Sequence, residues 1–158
     1  MSVTPSGLHH VTAIASDPQK NVDFYTQALG LRLIKQTVNF DAPHIWHLYY
    51  GDEAGTPASI LTFFPWPGVT RGKEGAGLTT ATSFSVPAES IGFWQQRFAK
   101  LGIEAAAPLQ RGDESVLTVR DPDGMKLELV GTKGDTRSGW DGAVSYTHLR
   151  AHETGRNL

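Results

Sequence analysis

His9 and His10 stand side by side in Gly7-Leu8-His9-His10-Val11-Thr12-Ala13-Ile14, two imidazoles next to a threonine hydroxyl. These side chains suit metal ligation and proton handling near neutral pH. The β-branched and apolar residues from Leu8 to Ile14, with a glycine before them and Ser16-Asp17-Pro18 after them, predict a β-strand. Alternation along such a strand puts Leu8, His10 and Thr12 on one face and His9, Val11 and Ala13 on the other, so a given cavity receives one histidine. An imidazole used as a ligand needs a neighbour at its second nitrogen to fix the tautomer. Two histidines are not a ligand set, and half-buried strand histidines with no metal are the other reading of the same residues.

The remaining polar residues are less suggestive. His47 lies on a predicted strand with Tyr49 on its face and reads as a packing or outer-sphere residue, while His44 beside Pro43 reads as a loop residue. Ser83, Ser85 and Ser90 lack the strand-to-helix elbow of a nucleophile, and no glycine-rich turn joins a strand to a helix as phosphate binding needs. Cysteine is absent, which removes disulfides and thiolate chemistry. A formal charge of -2 without a basic cluster argues against nucleic acid or an anionic membrane as partner. The opening Met1-Ser2-Val3-Thr4-Pro5-Ser6 has neither a cationic nor an apolar targeting segment, and no apolar run approaches a membrane span. A cytoplasmic protein is expected.

At 158 residues, 39% hydrophobic and 19% charged, the chain suits one domain or two small units sharing a core. Asp17-Pro18 is a helix-start signal, Val22, Tyr25 and Leu29 share a helical face, and Gly30 is the stop. Strands are predicted over 32–38, 45–50 and 59–64. The glycine-rich stretch from Gly68 to Gly77 reads as a connector. The pattern then repeats: a strand over 79–86, a helix opened by Pro87-Ala88-Glu89-Ser90 and ended by Gly102, and strands over 103–106, 115–120 and 125–130. Asp121-Pro122-Asp123-Gly124 is the turn between the last two. Neither unit can bury its sheet face alone, so the two must pair.

These features together resemble the vicinal oxygen chelate superfamily of glyoxalases, bleomycin- and fosfomycin-resistance proteins and extradiol dioxygenases. The resemblance rests on the tandem units, the Leu8-to-Thr12 strand, Phe24-Tyr25 leading into Leu29-Gly30-Leu31, and the Asp121-to-Gly124 hairpin ending in Leu127-Glu128-Leu129. The segments Lys35 to Asp41, His47 to Pro57 and Leu61 to Trp66 resemble, within it, the ring-cleaving dioxygenases of hydroquinones. The resemblance implies an α+β fold of two tandem βαβββ units forming a curved mixed sheet flanked by helices. The units span 7–66 and 79–131, joined by a connector at 67–78. It further implies iron(II), with manganese(II) as the alternative, an aromatic substrate and O2. His10 would be a metal ligand, with His9 and Thr12 as catalytic residues lining the site, where a neighbouring histidine can take part in acid-base steps.

Such dioxygenases carry four units, and their other ligands, a histidine and a glutamate, come from the fourth. Residues 132–144 are therefore expected to lead toward a missing second half. Residues 145–158, Ser145-Tyr146-Thr147-His148-Leu149-Arg150-Ala151-His152-Glu153 onward, resemble the in-frame translation of a sequencing-library adaptor and are set aside. His148, His152 and Glu153 are accordingly assigned no role. An iron(II) site needs two histidines and a carboxylate on one face of the metal. Glu128 occupies the superfamily's carboxylate position but reads as structural, since His10 alone could join it. Phe63-Phe64-Pro65-Trp66 is expected to pack between units or to line an aromatic pocket. A metal-free binding module of the bleomycin-resistance type and a glyoxalase-like lyase or isomerase remain the alternatives, and an uncovered first unit favours self-association.

Overall fold

The computed structural model describes residues 7–134, which form two compact units divided between Pro67 and Gly68. The predicted tail and its His148, His152 and Glu153 lie outside the described residues, as does the linker beyond Gly134.

The first unit runs β1 (His10–Ala15), α1 (Pro18–Asp23), a π-helical turn (Phe24–Ala28), β2 (Arg32–Val38), β3 (Trp46–Gly51) and β4 (Ile60–Pro65). Asp17 caps α1 as its position predicts: its carboxylate accepts from the backbone N–H of Gln19 and Lys20 at 2.9 and 3.0 Å. The helix then widens. The Thr26 hydroxyl donates to the Val22 carbonyl at 2.7 Å, and Leu29 N–H reaches back five residues to Phe24. Gly30, at φ +69°, turns the chain into β2 through a conformation that a side chain disfavours.

The sheet order is β1-β4-β3-β2, with β1 parallel to β4 and the remaining pairs antiparallel. One face is apolar. Leu48, Tyr50, Leu61 and Phe63 on the sheet and Val22 and Tyr25 on the helical segment are all buried. Tyr25 stacks on Tyr50 and tilts against Phe63, with ring centroids 5.1 and 4.7 Å apart. The Tyr50 hydroxyl donates to Asn21 Oδ1 at 2.8 Å, and burial raises its pKa. Phe63 thus belongs to the core of this unit, while Phe64 points the other way.

The second unit repeats the plan: β5 (Thr82–Pro87), a 3-10 turn (Ala88–Ser90), α2 (Ile91–Lys100), β6 (Leu109–Arg111), β7 (Glu114–Arg120) and β8 (Lys126–Thr132), with sheet order β5-β8-β7-β6. Val86, Ile91, Phe98, Leu117, Val119, Leu127 and Leu129 are buried. The strand expected over 103–106 is a single bridge between Ala105 and Val119, and the edge strand is β6 instead. Leu109-Gln110-Arg111 is exposed throughout, so no apolar alternation marks it.

Asp121 organises the predicted hairpin by accepting from Asp123 and Met125 N–H at 2.9 and 2.8 Å. The glycine-rich stretch is tied to this hairpin. Arg71 lies against the bare Cα of Gly124, and Glu74 pairs with Arg120 at 3.3 Å. The outcome is α+β, with two four-stranded mixed sheets. No helix among the described residues is long and apolar enough to cross a membrane.

Candidate functional site

The face of the first sheet away from the helix collects the polar residues. Pairing sets Thr12 beside Thr62, His10 beside Ile60, Tyr49 opposite Thr62 and Lys35 opposite Tyr49. The period of two then places His10, Thr12, Ile60, Thr62, Phe64, His47, Tyr49 and Lys35 on this one face.

His10 is exposed at the start of β1, and its Nδ1 lies 3.0 Å from Nδ1 of His9, with the two rings edge to face. Here the structure departs from the alternation argument. His9 precedes the strand, so the pleat does not govern it, and its ring meets that of His10 instead of taking the opposite face. One nitrogen must donate and the other accept. This contact engages Nδ1 of both rings, the kind of neighbour that fixes an imidazole's tautomer and orientation.

Thr12 adjoins a chain of hydrogen bonds that sequence reasoning did not find. Its Oγ1 is 2.8 Å from Thr62 Oγ1; Thr62 Oγ1 is 3.3 Å from His47 Nε2; and Tyr49 Oη is 3.0 Å from His47 Nδ1. Thr62 is 0% exposed, so its hydroxyl depends on these protein partners. The His47 ring packs on both Tyr49 and Phe64, with centroids 4.2 and 4.1 Å away. Burial lowers the His47 pKa, and the charges of His10 and Lys35 add to the effect. His47 is therefore more than a packing residue, and its link to Thr12 runs through the register of three strands. His44 sits before β3, edge-on to Trp66 at 6.2 Å.

Glu128, on β8 of the second unit, is 4% exposed. Its carboxylate accepts from both terminal nitrogens of Arg111 at 3.0 Å, from Ser83 Oγ at 3.0 Å, and faces Lys126 Nζ at 3.3 Å. The Arg111 hydrogen bonds, with help from Ser83 and Lys126, hold its pKa at about 2. Its oxygens are committed within its own unit, in keeping with a structural role. Ser83 is thereby explained, and the Ser90 hydroxyl donates to the Pro87 carbonyl at 2.7 Å, closing the turn into α2. No group of three histidine, cysteine, aspartate or glutamate side chains that could hold a metal occurs among the described residues.

Two βαβββ units with the same strand order define the glyoxalase class of fold. The model of the Glyoxalase/Bleomycin resistance protein/Dioxygenase superfamily matches residues 7–129, and the chain belongs to that superfamily. It is 43% identical over 140 residues to the Bacillus subtilis protein named "Putative ring-cleaving dioxygenase MhqO", covering 89% of this chain and 45% of that one. To the "Chlorohydroquinone/hydroquinone 1,2-dioxygenase" of Sphingobium indicum it is 35% identical over 128 residues, 78% of this chain and 40% of the relative. A crystal structure described as a "putative dioxygenase" from Bacillus subtilis superimposes with a TM-score of 0.77 at 46% identity, covering 80% of this chain and 41% of that one. The chain thus spans less than half the length of these relatives.

Proposed function

We propose that this chain forms the N-terminal part of a cytoplasmic, iron(II)-dependent ring-cleaving dioxygenase acting on hydroquinone-like aromatics, with manganese(II) as the alternative metal. The observation that carries the reading is the gathering of His10, Thr12, Thr62, His47 and Tyr49 on the one face of the first sheet not used by the core. The names of the relatives, ring-cleaving and hydroquinone dioxygenases, supply the reaction and the substrate class.

His10 fits one position of a two-histidine, one-carboxylate set because its Nδ1 is held by His9 and its Nε2 is left for the metal. The described residues do not complete that set. The remaining ligands come from a further segment in cis or from another chain. A metal held there would supply a common binding point for the aromatic diol and O2 and a path for charge from ring to oxygen. The chain's own residues orient the substrate: Thr12 offers a hydroxyl beside His10, and the Phe64, His47 and Tyr49 rings offer an aromatic flank. Oxygen consumption by the complete gene product, loaded anaerobically with Fe(II) and given hydroquinone, tests this. One O2 taken up per ring opened is expected, and no uptake by protein carrying stoichiometric iron overturns it.

A second reading, a metal-free small-molecule-binding module, draws on the Glu128–Arg111 pair, which occupies the carboxylate that a metal-dependent lyase of this superfamily would use. It predicts aromatic binding that survives a chelator.

A further inference from the structure

We propose that the hydrogen bonds linking Tyr49, His47, Thr62 and Thr12 run in one direction, from Tyr49 toward Thr12. Thr12 then presents its hydroxyl hydrogen on the His10 face and selects an ionised, phenolate oxygen of an aromatic ligand. The direction follows from proton counting together with the donor and acceptor strengths at the two ends, whereas the aromatic ligand rests on the ring-cleavage reading.

Each hydroxyl has one hydrogen, and a neutral imidazole has one N–H. Thr62 Oγ1 meets both Thr12 Oγ1 and His47 Nε2, and at 0% exposure its own hydrogen is satisfied only by donating to one of them, so it accepts from the other. Half-buried and flanked by the positive charge of Lys35, His47 is disposed to stay neutral, with its single hydrogen on Nδ1 or on Nε2. Two coherent arrangements follow. In one, Tyr49 donates to Nδ1, Nε2–H donates to Thr62, Thr62 donates to Thr12, and the Thr12 hydrogen is left over. In the other every bond is reversed and the Tyr49 hydrogen is left over.

The chemistry of the two ends decides between them. A phenol is a better donor than an aliphatic hydroxyl and a weaker acceptor, because its oxygen shares electron density with the ring. The imidazole nitrogen is the strongest base in the chain, so the phenol hydrogen belongs on the Tyr49–Nδ1 bond, 3.0 Å long. Lys35 Nζ, 5.5 Å from the Tyr49 ring centroid, favours the same direction by drawing electron density from that ring.

The arrangement ends at an exposed Thr12, two residues along β1 from His10 and on the same face. A surplus donor fits an oxygen that carries charge and no hydrogen. Charge-assisted hydrogen bonds of this kind are roughly twice as strong as neutral ones, so the ionised form of a phenol is preferred over the neutral form.

Two measurements on the complete gene product, free of metal, test this. In the first, imidazole 15N–1H correlation spectra are recorded with the His47 signals assigned by their loss in H47Q. The proposal predicts the Nε2–H tautomer, with an Nδ1–H population emerging in Y49F. An Nδ1–H tautomer in the parent protein, or one indifferent to Y49F, overturns the direction. In the second, 4-nitrophenolate is titrated by its absorbance. T12V should bind it about tenfold more weakly, the loss of one charge-assisted hydrogen bond, while T12S retains affinity. Equal binding by T12V, or none by the parent chain, overturns the recognition of phenolate. Neither measurement involves a metal, so failure here leaves the ring-cleavage reading to be decided by oxygen uptake.

Discussion

Arg111 grips Glu128 through two parallel bonds of 3.0 Å, one from each terminal nitrogen of its guanidinium to each carboxylate oxygen. The two residues are seventeen apart in sequence, on an exposed edge strand and a buried one. The Glu128 carboxylate is thus a fastening of the second sheet.

That fastening should register in the pH dependence of stability. The folded pKa of Glu128, about 2, lies below its ordinary value of 4.5, so the stabilisation is fully present above the ordinary value. It is lost as pH falls from about 4.5 toward about 2, the window in which the unfolded chain binds the proton first. E128Q should lower stability at pH 7 by about 1–2 kcal/mol, a modest figure because Arg111 is 53% exposed and water screens the pair. Urea denaturation at pH 7 and pH 3 checks this. The parent and E128Q curves should draw together at the lower pH.

In the first unit the corresponding polar fastening is Tyr50 to Asn21. Y50F keeps the stacked ring but leaves Asn21 Oδ1 buried without its donor, beside an Asn21 Nδ2 that already has no partner. A loss of about 1–3 kcal/mol is expected, read as a lower denaturation midpoint at unchanged slope. F63A removes a fully buried ring from the same cluster and should cost more, about 3–5 kcal/mol.

His9 is expected to act through His10. In the complete gene product H9A removes the partner of His10 Nδ1 and should weaken iron binding about 10- to 100-fold without abolishing it. Competition against a calibrated chelator measures this. H9N, which can still offer a hydrogen bond, should recover part of the loss.

Much of the fold was legible because local signals agreed with the tertiary structure. Asp17 capped its helix, Gly30 and Gly102 ended theirs at φ +69° and +67°, and Asp121 closed its hairpin. Strand β6 was not legible, since an exposed edge has no apolar alternation to show. The candidate site divided in the same way. His10 and Thr12 stood out by residue type and by resemblance. The placement of His9 turned on a strand beginning two residues later than the apolar run suggested. The link from Thr12 to His47 depended on Thr12 pairing with Thr62, fifty residues away, and on Thr62 being wholly buried, which no local pattern encodes.

Ligation of the catalytic metal by His10 underlies the proposed function. Its most direct test is the iron content of the complete gene product and of its H10A variant, both loaded anaerobically with Fe(II), desalted and compared by elemental analysis alongside circular dichroism. One iron per chain in the parent and almost none in a folded H10A is the predicted result. A folded H10A that retains one iron per chain and cleaves hydroquinone at the parental rate would contradict it.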